Sequence, residues 1–448
     1  MPWKETSPGR FERPFDGLEV WYRALASGGA PLNREHWSIT TVAKIRLRLP
    51  AGETVAALRH AWKTIRYDNP QIACTEQGGM NVYEVPDETA VTAWLNKTFI
   101  VAPPSSSQTA SGLFSNFAPS PCATFYYLPQ TSEVAIHCSH SRMDGVGALH
   151  LLHQLFTALA EPRSIAFGTE SKNLSPGLDD ATGTPSGVTP EIEQAVAEML
   201  TEYTSNLPSL GLPTNESNQI PGPTQRRELD VGTARTAAIV TACKDCGISV
   251  TAAVHAALIA ATRQLAPPEL ATKKYTSWCA IDLRPYCQPP YDSAAHPVTL
   301  YHAGLVAVIA PSSFLTDASE LQSIYKRSWR PSQSNLLTLV NHLAQNTTDL
   351  LSQPTPADMP SPSEPGLSGL GVVDRYIQSK YGDMVEVNDF WLAVEMLSRQ
   401  VQVHLWTFQS KLRLSACFNE MFYEGEFVES FLSKIQDVLI KELKIEKC

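Results

Sequence analysis

Between about Ser164 and Thr224 the chain turns to Pro, Ser, Thr and Gly, broken only by a helical stretch from Pro190 to Tyr203. Such a stretch offers little apolar surface to bury and punctuates the chain with turn-forming residues. It therefore separates two regions that each need a core of their own. Residues 1–185 form a first half, 186–224 a linker with one helix, and 225–448 a second half. In the first half, Ser38 to Leu49 alternates and is rich in β-branched residues, which predicts a strand. Thr54 to Arg66 has helical spacing, and Gln71 to Thr75 reads as a short strand after Pro70. Cys122 to Leu128 and Glu133 to Ser139 flank a Pro-Gln-Thr-Ser turn and predict a hairpin. From Gly145, apolar residues Val146, Leu149, Leu152, Phe156 and Leu159 recur every three or four positions, the stripe of a helix.

The second half repeats the mixture. A helix is expected over Thr251 to Leu265, with strands over Tyr275 to Leu283 and Ala303 to Ala310. A Pro/Ser loop over Gln353 to Gly366 precedes a hairpin, Val401 to Phe408 with Leu412 to Phe418. A terminal helix starts near Gly425. Two α/β halves joined by a long linker are the expected organisation.

Composition narrows the function. Hydrophobic residues are 43% and charged residues 18%, which excludes general disorder. A formal net charge of -10, with no Lys/Arg cluster, argues against nucleic acid or an anionic membrane as the main partner. The N-terminal MPWKETSPGRFERPF carries charges and prolines where a secretory signal has an apolar run. Nine scattered Cys fit reduced thiols, and the expected location is the cytoplasm.

Most familiar chemical motifs are missing. There is no HExxH, and Cys243-Lys-Asp-Cys246 lacks a second ligand pair at zinc spacing, so no metal site is expected. No Walker loop or GxSxG elbow occurs. Gly366-Leu-Ser-Gly369-Leu-Gly371 has the wrong order for a dinucleotide fingerprint and reads as a loop. What remains is His140-Ser-Arg-Met-Asp144-Gly145. By strand parity His140 follows Val134, Ile136 and Cys138 on one apolar face, at the point where the chain turns into a helix. A neutral imidazole there can accept a proton. Asp144 stands at the helix start, where Asp also serves as an N-cap. His137 has the opposite parity and is expected to pack.

This HxxxDG motif and its surroundings resemble the CoA-dependent acyltransferase superfamily, which includes plant BAHD enzymes, chloramphenicol acetyltransferases and condensation domains. The resemblance extends through VGALHLLHQLFTAL, CKDCGISVTAAVHAALIAATRQL and WCAIDLRPYC. In NDFWLAVEMLSRQVQVHLWTF and LRLSACFNEMFYEGEFVESFL it looks most like fungal secondary-metabolite O-acetyltransferases of the trichothecene type. Two departures are informative. Ser139 stands where condensation domains carry a further His, and Asp389-Phe390-Trp391-Leu392 lacks the glycines of the plant DFGWG motif.

The resemblance implies two chloramphenicol-acetyltransferase-like halves with mixed sheets and the active site in a channel between them. It implies His140 as general base, Asp144 as an orienting carboxylate paired with Arg284, and Gly145 as a tight-turn residue beside the helix. Trp391, Ser415 and Asn419 are candidate substrate or oxyanion contacts. The expected partners are acyl-CoA, with acetyl-CoA as co-substrate and no bound cofactor, and a small-molecule alcohol. The expected protein is a monomer that touches neither nucleic acid nor membrane. Two other roles fit the same fold: a condensation or product-release enzyme using a carrier-protein thioester, and a non-acyl enzyme such as a pericyclase.

Overall fold

The structure, a computed structural model, describes residues 2–50, 52–103, 108–185, 187–215, 220–326, 336–351 and 361–445. Most of the expected loop at 353–366, parts of the 186–224 linker, and Cys448 lie outside these residues.

The first-half sheet has six strands, ordered Lys380–Tyr381, Val385–Val394, Ile39–Leu47, Glu133–Cys138, Thr124–Leu128 and Phe99–Val101. The expected hairpin is present as Thr124–Leu128 antiparallel to Glu133–Cys138. The sheet takes two strands from the second half of the chain, since Val385–Val394 pairs antiparallel with Ile39–Leu47. Register then decides where the site forms. Ile39 faces both Cys138 and Val394 across the sheet. The residues just beyond these positions, Trp37 and His140, therefore emerge at the same end of the sheet.

Helix Gly145–Ala160 covers this sheet. Leu149, Leu151, Leu152, Leu155 and Phe156 are fully buried in its core, so the helix is apolar over more of its circumference than a single stripe. The second-half core gathers around Val250–Leu265 and a four-stranded sheet ordered Gly366–Val372, Gln402–Phe408, Lys411–Asn419 and Thr224–Asp230. Tyr275–Asp282 and His302–Ile309 form a separate antiparallel pair in which Asp282 faces His302. A smaller sheet holds the N-terminal hairpin Lys4–Ser7 and Arg10–Pro14 beside Met80–Glu84 and Thr75–Gln77.

Two expected elements differ. Gln71 to Thr75 is not one strand: Pro70–Ala73 is a 3-10 turn and a strand starts only at Thr75, because proline at the first position favours a helical turn. The glycine-rich stretch expected as a loop is the strand Gly366–Val372, parallel to Gln402–Phe408 with an irregularity between Gly369 and Gly371. Its neighbour supplies the backbone partners that the glycines' weak strand preference does not foretell. Helix Leu336–Leu351, for which no element was expected, packs across Gly17–Ser27. The approach is close: a Cβ on Gly17 would fall 2.3 Å from the carbonyl oxygen of Asn341.

No single helix among the described residues is long and apolar enough to cross a membrane. Thr233–Asp245 and Val250–Leu265 pass that test only as a pair, and they meet at a 99° bend.

Candidate active site

A cavity of about 160 Å³ lies where the two halves meet. His140 and Val394 reach it from the six-stranded sheet, and His404, Gln402 and Ser368 from the four-stranded one. Ser368 faces His404 in the parallel register, so both project from neighbouring points on that wall. Helix Leu336–Leu351 contributes Val340, Leu343 and Ala344, and Trp21, Tyr22, Trp37 and Trp278 add aromatic rings beside aliphatic and charged residues.

His140 is held in an unusual way. Its Nδ1 is buried with no hydrogen-bond partner. With Nδ1 so enclosed, Nε2 is the nitrogen left to the cavity. The Tyr22 ring lies parallel over the imidazole with centroids 4.1 Å apart, and Trp37 stands 6.4 Å away. Trp37 carries local strain, with φ at 65° in the left-handed region that a bulky residue rarely enters. Burial, helped by the neighbouring His302, pushes the His140 pKa down to about 4, against the smaller upward pull of its backbone and Asp144. The ring is neutral at physiological pH.

Asp144 caps the following helix by accepting the Gly147 N–H at 2.7 Å. Its carboxylate lies 3.0 Å from Nη1 of Arg284 and also accepts the Tyr301 N–H at 2.8 Å. Arg284 reaches Asp282 at 3.1 Å as well. Burial raises the Asp144 pKa, but Arg284, His302 and the helix N–H together hold it below the usual carboxylate value. The N-cap role and the pairing role therefore coexist in one side chain.

Gly145 opens the helix without entering the left-handed region. Its reason for being small is proximity: a Cβ would fall 2.9 Å from the end of the Leu370 side chain. Gly147 is the tighter position, where a Cβ would fall 2.1 Å from the carbonyl oxygen of Pro297.

The three expected substrate or oxyanion contacts do not line the cavity. Both N–H groups of Asn419 are committed, to the carbonyls of Gly222 at 2.6 Å and Met396 at 2.9 Å. The Ser415 hydroxyl accepts from Arg226 at 3.0 Å, and that guanidinium sits 4.4 Å over the Trp391 ring. Ser415 and Trp391 thus meet through Arg226, while Asn419 is tied to backbone. His137 is buried, faces the Thr40 hydroxyl at 2.9 Å and stacks on Phe117. Tyr22, Trp37, His302 and His404 complete the site without having been singled out. Strand parity could have flagged His404, which shares a face with the cavity-lining Gln402. Among the described residues, no group of three or more His, Cys, Asp or Glu has the arrangement of a metal site.

No family model matches the chain. Curated relatives do. The chain is 33% identical over 460 residues to O-acetyltransferase PigM of Monascus ruber, covering all of this chain and 88% of that protein. It is 33% identical over 459 residues to acetyltransferase PigO of the same organism, covering 99% of each. Among solved structures, TRI3 trichothecene 15-O-acetyltransferase from Fusarium sporotrichioides superposes with a TM-score of 0.82 at 18% identity, covering 98% of this chain and 97% of that one. The first condensation domain of the calcium-dependent antibiotic synthetase reaches 0.66 at 13% identity, covering 97% of both chains. With the fold of the CoA-dependent acyltransferases, the chain belongs to the fungal secondary-metabolite acetyltransferases.

Proposed function

We propose that this protein transfers the acetyl group of acetyl-CoA to a hydroxyl of a lipophilic secondary metabolite, with His140 as general base. The observation that carries this reading is the combination at the motif: His140 opens on the cavity with no partner on another residue, while Asp144 is turned to Arg284. Nε2 takes the proton of the acceptor hydroxyl as that oxygen bonds to the thioester carbonyl carbon. The tetrahedral adduct then loses its C–S bond, and the imidazolium returns the proton to the leaving thiolate. General-base assistance of this kind supplies roughly 10²–10⁴ in rate, and alignment of two bound substrates supplies much of the rest.

The aromatic wall built by Trp21, Tyr22, Trp37 and Trp278 favours a flat, apolar acceptor. One relative, azaphilone biosynthesis cluster protein M of Aspergillus terreus, is 26% identical over 451 residues, so a hydroxylated azaphilone is the first acceptor to try. The test is release of CoA from acetyl-CoA with that alcohol present, and the mass of the product. Acceptor-dependent CoA release with formation of the ester is the expected result. No ester from any alcohol, together with acetyl transfer from a carrier-protein thioester, would replace the donor in this reading.

A further inference from the structure

The four-stranded sheet presents a short polar strip to the cavity. Gln402 and His404 lie two residues apart on strand Gln402–Phe408, so both project to the same side, and both line the cavity. The parallel register puts Ser368 beside His404, and Ser368 lines the cavity too. A rise of about 3.3 Å per residue spaces Gln402 and His404 by roughly 7 Å. One carbonyl oxygen cannot span such a strip, whereas the oxygenated edge of a flat ring system can.

His404 is the deeply buried member of the strip, at 2% exposure. Its Nδ1 lies 4.0 Å from Sγ of Cys417 on the neighbouring strand. Burial pushes that thiol up to about 11, so it keeps its proton. Sγ already accepts the backbone N–H of Val394, which leaves the S–H to point at Nδ1. Burial first of all, with His140 and Arg226 adding to it, pushes the His404 pKa down to about 3. The ring is therefore neutral, with its one N–H on Nε2. With Nδ1 turned to the thiol, that Nε2–H is the atom left to the cavity. A neutral donor of this kind suits a neutral oxygen acceptor and offers little to a carboxylate or a phosphate, which favour charged partners.

We propose that His404 selects the acceptor, donating from Nε2 to a ketone oxygen of a flat hydroxyketone. The proposal rests on the acetyl-transfer reading above and names the class of alcohol it serves. The reacting hydroxyl is held at His140 and the ketone at His404, one group on each sheet, so the acceptor bridges the two halves. An alcohol of the same shape without the ketone leaves a buried donor unpaired, and that lets the site reject it. Ser368 and Gln402 continue the strip for further oxygens on the same edge.

The probes are hydroxymethylchromanone and hydroxymethylchroman, two flat bicyclic alcohols that differ by one ketone. For each, kcat and KM are measured from CoA release with the full chain and its His404→Leu, His404→Gln and Cys417→Ala variants. The parent should favour the ketone by about tenfold in kcat/KM, the worth of one neutral buried hydrogen bond. His404→Leu should erase that preference, with the larger change in KM of the ketone. Glutamine keeps an N–H donor and should recover most of it. Cys417→Ala frees the imidazole to take either tautomer and should reduce the preference about threefold. A parent with no ketone preference, or a leucine variant that keeps it, overturns the proposal. If leucine unfolds the chain, an undiminished preference in Cys417→Ala overturns it instead. A loss equal for both alcohols and carried by kcat assigns the N–H to the thioester oxygen, which also overturns it. CoA release with a hydroxylated azaphilone is the separate control. None there removes the acetyl-transfer reading, whereas release there without a ketone preference removes only the role of His404.

Discussion

The Asp144 carboxylate and the Arg284 guanidinium lie 3.0 Å apart, joining side chains 140 positions distant in sequence. Both are almost completely buried, so neither charge has water to fall back on. The contact ties the start of helix Gly145–Ala160 to the end of strand Tyr275–Asp282, and with it the two walls of the cavity. Arg284→Ala leaves Asp144 without its main counter-charge, a loss of about 3–5 kcal/mol for a broken buried pair. Urea unfolding should show that drop together with lost activity. An alanine variant as stable and active as the parent would separate this pair from both stability and function.

Gly145 and Gly147 should respond differently to alanine. At Gly145 the new methyl meets a flexible leucine end, which can swing away. At Gly147 it meets a backbone carbonyl, with Arg284 Nη2 at 3.1 Å beside it. Gly147→Ala must therefore displace the Pro297 segment or the helix start that carries Asp144. Thermal melts should place Gly147→Ala several degrees below Gly145→Ala, with a larger fall in turnover. Equal melting points would contradict this difference in surroundings.

Asn419 is a framework residue on this account. Its amide bridges Gly222 and Met396 and accepts two backbone N–H groups, from Gly222 at 2.9 Å and Met421 at 3.2 Å. Asn419→Ala orphans those buried groups, so it should lower the melting temperature while the folded fraction keeps its single-turnover rate within about threefold. A folded variant with a rate loss of a hundredfold would restore it as an oxyanion donor.

Acid should destabilise the fold through its buried histidines, with burial of Glu364 (pushed up to about 7) and of Asp16 (up to about 6) pulling the other way and outnumbered. Burial first of all pushes His36, His137, His140 and His150 down to about 4, and His255 and His404 to about 3. The unfolded chain binds these protons near 6.5, so between 6.5 and 4 it holds more protons than the folded one, and stability falls as pH falls. The stabilisation is complete above about 6.5. Melting temperature should therefore drop steadily from pH 7 to pH 4.5, and a flat profile across that window would contradict the burial of these rings.

Local pattern made part of this molecule legible in its sequence. The hairpin before the motif, the helix from Gly145 and the parity of His137 and His140 all depend on neighbours within a few residues, which is where periodicity carries information. The walls of the cavity depend on register. Trp37 meets His140 because Ile39 pairs with Cys138, and His302 reaches the cavity because it pairs with Asp282. Neither pairing is written in a local window. The strand at Gly366–Val372 was hidden for the same reason, since its partner strand supplies what its glycines lack. Helix Leu336–Leu351 did leave a signal, in the spacing of Leu337, Val340, Leu343 and Ala344, which face the core or the cavity.

The central claim is that turnover passes through the His140 imidazole, and single-turnover acetylation of the acceptor alcohol by His140→Ala tests it most directly, with acetyl-CoA affinity measured on the same variant. A base acts on the transition state more than on the bound substrates, so affinity should stay within about twofold while the rate falls by roughly 10²–10⁴. The parent enzyme should hold its kcat/KM down toward pH 4, where the depressed pKa of His140 places the acid limb. An alanine variant that keeps more than about a tenth of the parental rate would contradict the account, because general-base assistance is worth at least ten times more than that.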